Sequence, residues 1–81
     1  MNKPRLLQET LLQRDVHCTI DEDTVFVDAR LIARMTFALQ EDGRLFNLQY
    51  WKYGSMMAEH FDMTVDECVG YALSVVDNTI G

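Results

Sequence analysis

Lysine and arginine are missing from the whole stretch between Tyr53 and the end, although Glu59, Asp62, Asp66, Glu67 and Asp77 all fall within it. Over the full chain thirteen acidic residues stand against seven basic ones, a net charge of -6. A surface of this sign repels phosphate backbones, so direct nucleic-acid binding is disfavoured, and the acidity either steers toward basic proteins or simply keeps the domain soluble. Proline occurs once and glycine four times, while 48% of residues are hydrophobic; a disordered linker would be far more polar. Cysteine is limited to Cys18 and Cys68, far apart and with no CxxC spacing. No disulfide framework is expected, and a reduced, cytoplasmic protein follows. Nowhere do eighteen apolar residues run together, and residues 1–4 lack the apolar run of a signal peptide, so neither a membrane partner nor secretion is expected.

The chemistry-bearing residues are equally sparse. His17 and His60 are the only histidines. His17 adjoins Cys18, but neighbours on a strand point to opposite faces and cannot act as a nucleophile and base pair there. His60, between acidic neighbours, reads as an exposed loop residue. Two histidines and two cysteines could ligate zinc in principle, yet structural zinc sites take closely spaced ligand pairs that this chain does not offer. Asp21, Glu22 and Asp23 form a solvated turn without the glycine and terminal glutamate of a calcium loop. No GxxxxGK[ST] or GxGxxG spacing is present to cradle a nucleotide. The expectation is a protein that is not an enzyme, with no catalytic, cofactor or metal residues.

What is present reads as one globular domain over residues 1–81, with no repeat or linker. Pro4 suits the first turn of a helix over residues 4–14, with Leu6, Leu7 and Leu11 at helical spacing. Val16, Cys18 and Ile20 alternate with His17 and Thr19 in strand fashion, and residues 24–28 hold the strand formers Val25, Phe26 and Val27. Residues 31–53 fork. A two-residue turn at Asp42-Gly43 predicts a hairpin pairing Leu39 with Phe46, Phe37 with Leu48, Met35 with Tyr50 and Arg34 with Trp51. A helix over 29–42, with Asp28 as N-cap and Gly43 as C-cap, competes. The hairpin is preferred because it pairs apolar with apolar residues, whereas a one-residue slip opposes Phe37 to Asn47. Residues 55–61 read as a short helical turn. Thr64 and Glu67 match a capping box, from which Val65, Cys68, Val69, Ala72, Val75, Val76 and Ile80 form a helical stripe. The fold class is therefore α+β: an antiparallel three- to four-stranded meander with a short N-terminal helix and a C-terminal helix packed on one face.

That helix is expected to lie over Met35, Phe37, Leu39, Phe46, Leu48 and Tyr50. A second face would hold Val25, Val27, Ile32, Arg34, Trp51 and Tyr53, either covered by Leu7 and Leu11 of the first helix or exposed as an interface. Candidate partner-binding residues are thus Arg34, Trp51 and Tyr53 as anchors, with Glu59, Asp62, Asp66, Glu67 and Asp77 as the acidic field. In size, charge and element order the chain resembles small phage and mobile-element proteins that inhibit host nucleic-acid enzymes, anti-CRISPR proteins among them. That resemblance of outline, without a shared motif, implies an inhibitor of a basic nucleic-acid-binding protein. The alternatives are a homodimeric structural or assembly subunit joined through Val25, Val27, Ile32 and Trp51, and a nucleic-acid binder using Arg30, Arg34, Arg44, Lys52, Trp51 and Tyr53.

Overall fold

The first helix, α1 (Lys3–Gln13), is fixed at both ends by its own sequence. Asn2 is its N-cap, its Oδ1 accepting from the Arg5 amide at 2.8 Å, so the helix begins one residue before Pro4. At the other end Asp15 takes a left-handed φ of 62°, and the amides of Val16 and Asp15 donate to the carbonyls of Leu11 and Leu12. This is a Schellman closure, and Leu11 and Val16, the two residues it brings together, are both buried. The computed structural model describes residues 2–29 and 33–80, with side chains as far as residue 77.

Five strands follow as a meander: β1 (Cys18–Asp21), β2 (Thr24–Ala29), β3 (Ala33–Leu39), β4 (Phe46–Lys52) and β5 (Ser55–Met63). All neighbours are antiparallel, and the strands lie in the sheet in chain order. The chain closes with α2 (Val65–Ile80), entered directly from β5. Thr64 and Glu67 form the reciprocal capping box: the Thr64 amide donates to Glu67 Oε1 at 3.0 Å and the Glu67 amide to Thr64 Oγ1 at 3.2 Å.

The predicted β3–β4 register is observed in full, with Leu39 opposite Phe46, Phe37 opposite Leu48, Met35 opposite Tyr50 and Arg34 opposite Trp51. Residues 33–39 are therefore strand, and the competing helix over 29–42 does not form there; Arg30, Leu31 and Ile32 lie outside the described residues. The turn itself differs from the expected two-residue type. Gly43 alone of the Asp42-Gly43 pair has positive φ, at 73°, and its amide donates to the Gln40 carbonyl at 2.9 Å, while the Gln40 amide donates to the Leu45 carbonyl. The loop is thus four residues, 41–44, and the register survives because one residue is added symmetrically on each side. A two-residue turn with both residues left-handed occurs instead at Tyr53-Gly54, with φ of 53° and 79°, closing Lys52 onto Ser55. That turn is why residues 55–61 are strand and not the expected helical turn.

Val25 pairs with Phe37 and Val27 with Met35, so both valines belong to the same face as the β3–β4 core. All four are fully buried, which corrects their assignment to the second face and removes them from any dimer contact. Both helices cover this one inner face. Leu7 and Leu11 of α1 share a cluster with Val25, Val27, Met35, Phe37, Phe46 and Leu48, completed by Met63 and by Cys68, Val69 and Ala72 of α2. The outer face, which α1 was one candidate to cover, has neither helix on it. No described helix is long and apolar enough to cross a membrane.

The division into one sealed face and one open edge sets the expected stability of two phenylalanine variants. Phe37→Ala should lower the free energy of unfolding by about 3–5 kcal/mol through cavity formation. Phe61→Ala, at a side chain 60% exposed, should cost less than about 1 kcal/mol. Urea denaturation of the two variants beside the parent checks both values.

Candidate binding surface

Strand alternation puts two cross-sheet rows on the outer face. One runs from Phe26 through Thr36 and Gln49 to Glu59, the other from Asp28 through Arg34 and Trp51 to Met56. Phe26 and Trp51 are half-buried, Phe26 between Thr19 and Thr36 and Trp51 between Arg34 and Met56 in the cross-strand register. Gln49 Nε2 donates to Glu59 Oε2 at 3.1 Å, which orients that carboxylate across β4 and β5. Arg34 lies opposite Trp51 as the register requires, but its Nε donates to Asp28 Oδ1 at 3.0 Å. Both of those side chains are 61% exposed, so the pair contributes little stability, about 0–1 kcal/mol. It leaves the Trp51 ring beside a charge-balanced pair, where a lone cation had been expected.

β5 forms one edge of the sheet and hydrogen-bonds as a strand only to β4. Two irregularities interrupt that pairing, and each adds a residue on β5: one at Met57, between Ala58 and Met56, and one within 61–62. Met56, Met57 and Phe61 are consequently exposed, and Tyr53 at the preceding turn is 74% exposed. Asp62 takes a left-handed φ of 59°, and its Oδ1 accepts from Gln40 Nε2 at 2.7 Å, with the same nitrogen 2.8 Å from Asn47 Oδ1. The amide of Gln40 thus ties the end of β5 to the β3–β4 loop.

The remaining acids stand elsewhere. Asp66 and Glu67 occupy the first turn of α2, where carboxylates favour the helix dipole and Glu67 is already engaged in the cap. Asp77 is exposed about 16 Å further along the same helix, taking 1.5 Å per residue. Since α2 packs on the inner face, these three lie across the sheet from Arg34, Trp51 and Glu59. The eight candidates therefore divide into two groups: Arg34, Trp51, Tyr53, Glu59 and Asp62 around the outer face and β5 edge, and Asp66, Glu67 and Asp77 on the helical layer. Sequence reasoning missed Phe26, Met56, Met57 and Phe61; Gly54 alone marks a turn in the sequence there, and Tyr53 before it hides the two-residue turn that puts the last three on a strand.

His60 is not in a loop. It lies on β5 opposite Leu48, and its ring meets that of Tyr71 at 5.4 Å, while Tyr71 meets Tyr50 edge-on at 6.3 Å. Burial, then the neighbouring Tyr50, raises the Tyr71 phenol above its ordinary value. His17 is exposed, whereas Cys18 is half-buried with its Sγ donating to the Gln8 carbonyl at 3.5 Å, so the two diverge as strand geometry predicts. Both cysteines are free thiols. Among the described residues no three His, Cys, Asp or Glu side chains converge.

The chain matches no protein-family model, no curated protein and no solved structure.

Burial first, and the Glu67 charge second, push the Cys68 thiol from an ordinary value near 9.0 up to about 12. Between those values the unfolded chain has lost the thiol proton and the native chain keeps it, so stability falls as pH rises through that window. Cys68→Ala should flatten this alkaline fall in denaturation measurements, and Ellman's reagent should reach Cys68 in the parent only upon unfolding.

Proposed function

We propose that this protein is a non-enzymatic, acidic protein-binding module that engages a basic partner, in keeping with an inhibitor of a nucleic-acid-binding protein of phage or mobile-element type. The observation that carries this reading is the corner made by Trp51, Tyr53, Met56 and Met57. Trp51 is half-buried opposite Met56, and Tyr53, Met56 and Met57, all exposed, follow it around the β4–β5 turn, in a part of the chain that has acids and no cation beyond Lys52. Aromatic and methionine side chains of this kind supply the desolvated centre of protein interfaces, while acids at the rim steer a basic surface into place. Tyr53 adds a second argument. A left-handed residue before a turn glycine is most comfortably asparagine or aspartate, and Tyr53 holds that conformation while burying little of its ring. Folding does not account for that choice, and contact with a partner does. A dimer through Val25 and Val27 has no support, since both are core.

Capture from the native host at low salt, with the retained protein identified, purified and titrated, tests this reading. The partner should be basic, and its affinity should fall steeply between about 0.05 and about 0.5 M salt as charges are screened. Tyr53→Asn should weaken binding while stabilising the free fold by up to about 1 kcal/mol. A partner whose affinity ignores both salt and Tyr53→Asn overturns the proposal, as does retardation of bare nucleic acid in its place.

A further inference from the structure

We infer that the free edge of β5 is the docking element itself, and that its occupant is a basic, apolar-alternating segment of the partner that adds to the sheet as a sixth strand. This rests on the binding reading above and names the chemistry of what binds. In a strand paired on one side only, every second residue turns its backbone N–H and C=O outward, so about half of the nine residues of β5 offer such backbone. Natural edges are blunted by lysine, proline, charged side chains or bulges; β5 has no lysine or proline but carries two bulges and two acids, so what it leaves open is the regular segment between the bulges, and only to a strand of opposite charge. Its side chains are exposed along almost the whole strand, with Met56, Met57 and Phe61 available to flank an added strand on either side of the carboxylate of Glu59. Between its two bulges, Ala58, Glu59 and His60 keep regular pairing with Tyr50, Gln49 and Leu48, so a straight segment remains for a new strand to follow.

Charge decides between occupants. A second copy docking β5 against β5 would bring Glu59 and Asp62 of both chains to one seam with no lysine or arginine on either strand to offset them. The same acids that oppose self-pairing attract a strand carrying lysine or arginine. Backbone pairing would then supply affinity, and alternate side chains specificity, the mode by which extended peptides extend an exposed sheet.

The probe is a synthetic peptide of about ten residues in which lysine alternates with isoleucine, titrated into isotopically labelled full-length protein. Amide exchange should slow at alternate residues of β5, and methylating the peptide backbone nitrogens should abolish that protection. Glu59→Lys combined with Phe61→Lys, both at exposed positions, should weaken the peptide by at least about tenfold. Salt-sensitive binding that protects α2 or the outer face and leaves β5 amides unchanged overturns the edge assignment and leaves the acidic-module reading standing. Absence of any binding by the basic peptide overturns the edge assignment, while a native partner whose affinity ignores both salt and Tyr53→Asn is what separately removes the module reading. Concentration-dependent dimers with protected β5 amides would put a second copy on the edge and also overturn the inference.

Discussion

Phe37 stands between Val25 on one neighbouring strand and Leu48 on the other, and all three side chains are closed to solvent. Sealing that row is the constraint from which the rest of the architecture follows. Five strands at about 4.8 Å spacing make a sheet roughly 24 Å wide, whereas one helix with its side chains covers about 10 Å. One helix per face would leave both faces half wet. Two helices side by side on one face cover roughly four strands, and the contacts follow that division: α1 lies against β1 and β2, α2 against β2 and β4. The outer face and the β5 edge are left over once the single core that an 81-residue chain can close has been closed.

How much of this could be read from the sequence depended on whether burial imposed a period. Met35, Phe37 and Leu39 and their partners Tyr50, Leu48 and Phe46 alternate cleanly because only one of their faces is sealed, and their register was legible to the residue. The α2 start was legible because a capping box is a local chemical motif, complete within four residues. β5 was not legible. It is exposed on nearly every residue, and its two extra residues break whatever alternation remained, so Met56 and Met57 sit together in a way that imitates a helical turn. Val25 and Val27 were misplaced for another reason: a strand's inner set is fixed only relative to its neighbour, and the β2–β3 connection holds no turn motif from which to count. Of the candidate surface, Tyr53 was legible as an exposed aromatic and Trp51, which is half-buried, as an outer-face one, but the grouping of the acids was not, since α2 crosses to the far layer.

The uneven charge acquires a structural meaning from this layout. Acids on α2 and acids on β5 belong to one sequence block, yet the sheet separates them, so their fields point to different sides of the molecule. Asp66 and Glu67 already have a structural task at the α2 N-terminus, where both complement the dipole and Glu67 closes the cap, while Asp77 lies toward the other end of the helix. Glu59 and Asp62 accept hydrogen bonds from Gln49 and Gln40, which orient the carboxylates without neutralising them. Orienting an anion with neutral donors preserves its charge for a partner; an arginine in the same place would have cancelled it.

Tyr53 is where residue type and local backbone agree least. The turn it occupies requires two left-handed residues, a conformation that a Cβ opposes by about 1 kcal/mol or more and that asparagine tolerates best. Gly54 meets the requirement without strain because it has no Cβ; the space beside it is open, so backbone conformation alone calls for glycine there. Tyrosine meets it at a cost, and with 74% of its surface exposed it recovers little by burial. An exposed aromatic ring on a left-handed turn residue recovers little of that cost within the described fold; under the proposed binding reading, the compensating contacts come from another molecule.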